Sequence, residues 1–256
     1  MAFSRSFNLR IVFLTLIFLI FIQKNFAENT ETFTQTFARE NKEIVDKILC
    51  NSYFNAISTG KATNAEFEHD IIQNHYFTIL WARSLGYALT KAPAPVPKDW
   101  GFGNVTREFF ITFLSSYLDV IETYGKVLEE LAVAHNFNIY GELYSAFSRT
   151  DGEYMIKVAK TLPFEAWIAT NWASNYFFYE GVLISQASIK KNGYTYEFQD
   201  YIDVSTSSLV KNVTEQLGSF VDLIYKSKKA DRKLATKVMT QQLKNDFAYY
   251  ESVATV

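Results

Sequence analysis

Apolar and polar positions recur along this chain at helical intervals. From Asn29 to Ser58, Phe33, Phe37, Ile44, Ile48 and Phe54 fall on one side and predict an amphipathic helix that ends near Gly60. The next stretch, Thr63 to Ala92, opens with Thr63 and Glu66 spaced as a capping box. Phe67, Ile71, Phe77, Trp81 and Leu85 then form a stripe, while Ile72, Tyr76, Ile79, Leu80 and Leu89 cover much of the remaining circumference. A helix apolar nearly all round belongs in the centre of a larger protein. Asn74 interrupts the stripe among groups that cannot satisfy an amide, and marks where a pocket is expected.

Further along, Ala92 to Lys98 holds three of the four prolines and predicts a rigid, non-helical connection. Asn104 to His135 reads as a third long helix, and Tyr140 to Phe147 as a shorter one closing at Arg149-Thr150. Asp151 is expected to cap a long segment reaching Lys191, kinked at Pro163 and broken by Asn192-Gly193. Tyr196 to Tyr225 and Lys229 to Ser252 complete the pattern. Sustained alternation, internal repeats and low-complexity tracts are missing. The expectation is one all-α domain of about seven helices.

Composition agrees: 48% hydrophobic and 17% aromatic residues suffice for one large core. The first residues change the picture. Arg5 and Arg10 precede an apolar run from Ile11 to Ile22, and Asn25-Phe26-Ala27 is a tolerable cleavage site. Residues 1–27 read as a signal peptide and 28–256 as a secreted domain, free of the membrane once the signal is removed; an uncleaved anchor is the alternative. Removing three bases and no acid moves the formal charge from −2 to −5. Lys226, Lys228 and Lys229 read as a solvated turn, so nucleic acid is not an expected partner. With Cys50 alone no intramolecular disulfide can form, and a buried thiol is expected. Asn104 and Asn212 open glycosylation triplets.

Candidate chemistry is sparse. His69 and His75, six apart, project from different faces of a helix, and His135 stands at a helix end, so no metal, haem or other cofactor is expected. Asp246, between Leu243 and Phe247–Tyr250, either faces the core or sits on the surface beside Lys244. Ser205 and Thr206 can cap or bond to carbonyls behind them. The aromatic residues from Phe164 to Tyr179 can fill a core or line a cavity for a flat heterocycle.

Four segments carry a family likeness. Phe54-Asn55-Ala56-Ile57-Ser58-Thr59-Gly60, a spacer, Phe67 and then Gln73-Asn74-His75-Tyr76-Phe77 resemble the second helix of the thiaminase II (TenA) family, within the haem-oxygenase-like fold. Glu153 to Pro163 resembles the helix leading to that family's Leu-Pro-Cys step. Tyr196 to Leu209 and Lys244 to Tyr250 resemble its next helix and its terminal segment. The ordered set spans Thr32 to Ser252. The likeness implies a haem-oxygenase-like bundle, a homodimer or homotetramer, and a thiamine- or pyrimidine-like ligand. It also implies departures. Asn74 stands for the family's ring-binding aspartate, Phe77 for a tyrosine, Phe164 for the nucleophilic cysteine and Ser205 for another tyrosine. Asp246, or Asn245 if the match slips by one, stands for the catalytic glutamate. Phenylalanine cannot be a nucleophile. Three readings follow: a secreted binder of a thiamine- or aminopyrimidine-like molecule, a hydrolase of such compounds using Asp246, or a structural protein whose pocket aromatics have filled.

Overall fold

The structure, a computed structural model, describes residues 31–93, 96–100, 107–227 and 229–256, with only the backbone of residues 107–110. The signal segment and Asn104 lie outside the described residues, which contain helices and no strand. In chain order these are α1 Phe33–Glu40, α2 Lys42–Leu49, α3 Ser52–Ser58, α4 Asn64–Leu89, α5 Arg107–Ala134, α6 Ala146–Thr161, α7 Phe164–Asn192, α8 Gln199–Ser205, α9 Ser208–Lys226 and α10 Arg232–Val253.

α4 begins where its capping box predicts: Thr63 Oγ1 accepts from the Glu66 N–H and the Glu66 carboxylate accepts from the Thr63 N–H. Such a cap is worth roughly 1 kcal/mol. Phe67, Ile71, Ile72 and Leu85 are fully buried, each contributing about 2 kcal/mol of apolar burial. α4 packs against α5 on one side and α6 on the other, while α7 packs against α9 and α10. The approach of α6 to α4 needs Gly152, because a Cβ there would stand 2.4 Å from Leu80 Cδ1.

Several boundaries differ from the sequence expectation. The single helix from Asn29 to Ser58 is three, because Asn41 and Asn51 interrupt it; Asn51 Oδ1 caps α3 by accepting from the Phe54 N–H at 2.8 Å. No helix covers Tyr140 to Tyr144. Instead Ser145 caps α6, accepting from the Ser148 N–H at 3.0 Å. Asp151 is therefore inside a helix and buried, not a cap. Pro163 separates α6 from α7 outright, and Gly193, at φ 69°, ends α7. The segment from Tyr196 to Tyr225 breaks at Thr206-Ser207. Cys50 is exposed, not buried, since it ends the two-turn α2 outside the core. Asn212 lies half-buried in α9, and Thr214 Oγ1 donates to the Val210 carbonyl, so that triplet is not displayed on a loop. Among the described residues no helix is long and apolar enough to cross a membrane.

Candidate active site

A cavity opens beside Asn74 and encloses about 790 Å³ of space free of protein atoms, part of it continuous with solvent. Its walls follow from helical spacing. Asn74, Phe77 and Trp81, at intervals of three and four, bring one face of α4 to it. α5 contributes Tyr124, α7 contributes Ser174, Asn175 and Phe178, and α10 contributes Asp246, Tyr249 and Tyr250.

The amide of Asn74 is not stranded, contrary to what its apolar stripe predicts. Nδ2 donates to the Asp70 carbonyl at 3.0 Å, to Asp70 Oδ1 at 2.8 Å and to the Tyr201 hydroxyl at 3.1 Å. With its hydrogens committed, Oδ1 is the group left to accept from a molecule in the cavity. Behind it, Asp70 is fully buried and also accepts from the hydroxyls of Tyr201 at 2.7 Å and Tyr249 at 2.5 Å. Burial raises its pKa, and these hydroxyls pull it back.

Across the cavity lie two more buried carboxyl groups, Asp151 on α6 and Asp246 on α10. Gln242, one turn before Asp246, donates through Nε2 to Asp246 Oδ1 at 2.7 Å and to Asp151 Oδ1. Ser174 Oγ donates to Asp246 Oδ1 at 3.4 Å. One nitrogen thus bridges the two carboxyl groups. Burial pushes Asp246 up to about 6, against the donors that favour its anion. Burial first, and then the charge of Asp246, push Asp151 well above the ordinary carboxylate range. With no cation paired to them, two such groups resist being ionised together.

Phe164 does not reach this cavity. It is buried at the start of α7, against Trp167, almost three turns before Ser174. Ser205 is fully buried and also off the cavity wall; it lies behind Tyr124, close enough to hold that phenol's pKa back against burial. Asn74, Phe77 and Asp246 do line the cavity. Sequence reasoning missed Asp151, Ser174, Tyr124 and Gln242. A signal for Asp151 was present: Ser148, Asp151, Met155 and Val158 share the buried face of α6.

Each histidine pairs with its own carboxylate: His69 with Glu142, His75 with Glu129 at 3.1 Å and His135 with Asp200 at 2.9 Å. Among the described residues no three His, Cys, Asp or Glu side chains converge as metal ligands do.

No family model matches the sequence, and no curated protein matches it. Solved structures do. A TenA homologue from Pyrococcus furiosus superposes with a TM-score of 0.72 at 15% identity, over 87% of this chain and 99% of that one. The chain has the TenA fold. A TenA homologue from Pyrococcus horikoshii gives 0.71 at 12% identity, over 88% and 99% of the two chains. A TenA family transcription regulator from a Silicibacter species gives 0.74 at 9%, over 88% and 97%. The TenA fold is the all-helical, haem-oxygenase-like one that the four segments imply, and here its helices enclose the cavity beside Asn74.

Proposed function

We propose that the cavity binds a flat, amino-bearing nitrogen heterocycle of the kind that forms the pyrimidine half of thiamine, without thiol chemistry. The observation that supports this is the open space beside Asn74, which a structural protein with a filled pocket would lack. Its polar groups are few: Asn74 Oδ1 is left to accept, and Ser174 and Asn175 stand on the facing wall. Phe77, Trp81 and Phe178 supply flat apolar surface for a ring. The TenA fold of the solved neighbours adds the thiamine-related context. A thermal-shift series with thiamine, its phosphates and aminopyrimidines tests this, because a ligand bound only by the native state raises the melting temperature. No shift with any of them overturns the reading.

A hydrolase of such compounds is the second reading, favoured by one observation: Asp246 stands in the cavity with a pKa near 6, suited to serve as a base close to neutrality. We further propose that residues 1–27 direct export and that the mature chain begins near Glu28 and assembles as a homodimer or homotetramer. Secreted material still starting at Met1 would reject the first point, and a monomer in sedimentation the second.

A further inference from the structure

A second hollow lies beside the cavity, between α5 and α9. α5 packs on α4 and α9 packs on α7, while α5 and α9 meet each other only briefly. Helical spacing sets the walls: Phe113, Tyr117 and Val120 come from α5, and Leu209, Val213 and Gln216 from α9. From Phe113 to Val120, as from Leu209 to Gln216, the helix rises about 10 Å. The hollow encloses about 420 Å³ free of protein atoms, part of it continuous with solvent. A close-packed interior leaves no such room along two helices.

Val120, Leu209 and Val213 line the cavity as well, so the wall common to the two spaces is aliphatic side chain. Tyr117 joins them by hydrogen bonds. Its hydroxyl donates to Asn171 Oδ1 and accepts from Nδ2 of Asn175, a cavity residue, each at 3.4 Å. Ser116, Asn212 and Gln216 stand half-buried in the second hollow, and their side chains make no hydrogen bond to any described residue. The two spaces differ in charge. Asp151 and Asp246 line the cavity, whereas none of the described residues lining the second hollow is charged.

We infer that the hollow between α5 and α9 is a second subsite, which takes an uncharged, apolar substituent carried by the heterocycle bound beside Asn74. The chain's ligand is then an N-substituted aminopyrimidine of two parts, not the bare ring. This rests on the ligand reading above and adds a substrate class to it. The ring lies against Phe77, Trp81 and Phe178, and the substituent passes between Val120, Leu209 and Val213. Aliphatic side chains yield by turning about single bonds, so no helix has to move. Beyond them Phe113 and Tyr117, 6.2 Å apart and 7° from parallel, offer aromatic surface to an apolar group. Ser116, Asn212 and Gln216 offer neutral donors and acceptors to a hydroxyl or carbonyl at its far end. A carboxylate or phosphate there would lose its water and meet no cation.

The test compares three compounds by calorimetry: the aminomethylpyrimidine that corresponds to the pyrimidine half of thiamine, its N-benzyl derivative and its N-(4-carboxybenzyl) derivative. Burying the phenyl group should make the N-benzyl compound bind roughly tenfold tighter than the bare ring, or more, and the carboxylate should cancel that gain. Ser116→Trp fills the hollow from α5 and should cut the N-benzyl advantage to less than about twofold. Should that variant fail to fold, Gln216→Trp fills the same space from α9 and should do the same. A bare ring that binds as tightly as its N-benzyl derivative, or an advantage that survives the tryptophan, overturns the subsite and leaves the ligand reading standing. Equal gains from the benzyl and carboxybenzyl groups overturn its selectivity for an uncharged substituent. Binding of none of the three overturns the ligand reading, and the subsite with it.

Discussion

Two buried carboxylate centres, Asp70 on α4 and the pair of Asp151 on α6 with Asp246 on α10, differ in what surrounds them. Asp70 receives two tyrosine hydroxyls and the Asn74 amide, and no part of it lines the cavity. The Asp151–Asp246 pair receives one glutamine nitrogen and a long contact from Ser174, and it opens on empty space. The first is a satisfied network that ties α4 to α8 and α10. The second is a pair of acids brought together with little to stabilise their charge. Burial is common to both; satisfaction separates a structural acid from one available for chemistry.

The largest effect should come from breaking the satisfied centre. Asp70→Ala leaves the Tyr201 and Tyr249 hydroxyls and the Asn74 amide without their acceptor, and should cost about 3–5 kcal/mol in urea unfolding. A loss under about 1 kcal/mol would mean the network is not what holds these helices.

The other centre should respond with the opposite sign. The folded chain raises Asp246 from its ordinary 3.8 to about 6, so it holds that proton more tightly than the unfolded chain does. The Asp246 share of stability should fall by at most roughly 3 kcal/mol as pH rises from about 4 through 6, and the raised Asp151 should carry the decline to higher pH. Asp246→Asn should flatten this dependence and stabilise the protein at neutral pH. Denaturation midpoints across that window decide it; a rise in stability over the same window would contradict the assignment.

Asn74→Leu joins the two regions. It should weaken aminopyrimidine binding about tenfold, near 1.4 kcal/mol, and cost a further 1–2 kcal/mol of stability, roughly, because Asp70 loses a donor. Calorimetry and urea unfolding separate the two effects. Unchanged affinity would remove Asn74 from the site.

The smallest effect concerns Phe164. Whatever Phe164→Cys costs the core, it should alter ligand affinity by less than about twofold and form no covalent adduct, since this position lies off the cavity. An adduct trapped there would show that the site extends to the start of α7.

What the sequence made legible was local. The capping box of α4, its buried stripe of Phe67, Ile71, Trp81 and Leu85 and the break at Gly193 follow from residues within one or two turns, whereas the pattern left Asp246 between core and surface. Features set by distant partners were not legible. Asn74 is satisfied in part by Tyr201, 127 residues away, which no stripe on α4 could reveal. The Leu162-Pro163 step drew attention to Phe164, whereas the hydroxyl that meets Asp246 sits ten residues later, on the face of α7 that Asn171, Ser174 and Asn175 mark as polar. Asp151 looked like a cap because it follows Arg149-Thr150, but the true cap is Ser145, and that moves Asp151 to the buried side.

The central claim is that the space beside Asn74 is a binding site, and calorimetric titration of the unmodified protein with the aminomethylpyrimidine tests it most directly. One saturable site per chain is predicted at neutral pH, and Ser174→Trp, which fills the space while circular dichroism shows the helices intact, should abolish it. Heat of binding that survives that substitution, or none from the unmodified protein, would contradict the account.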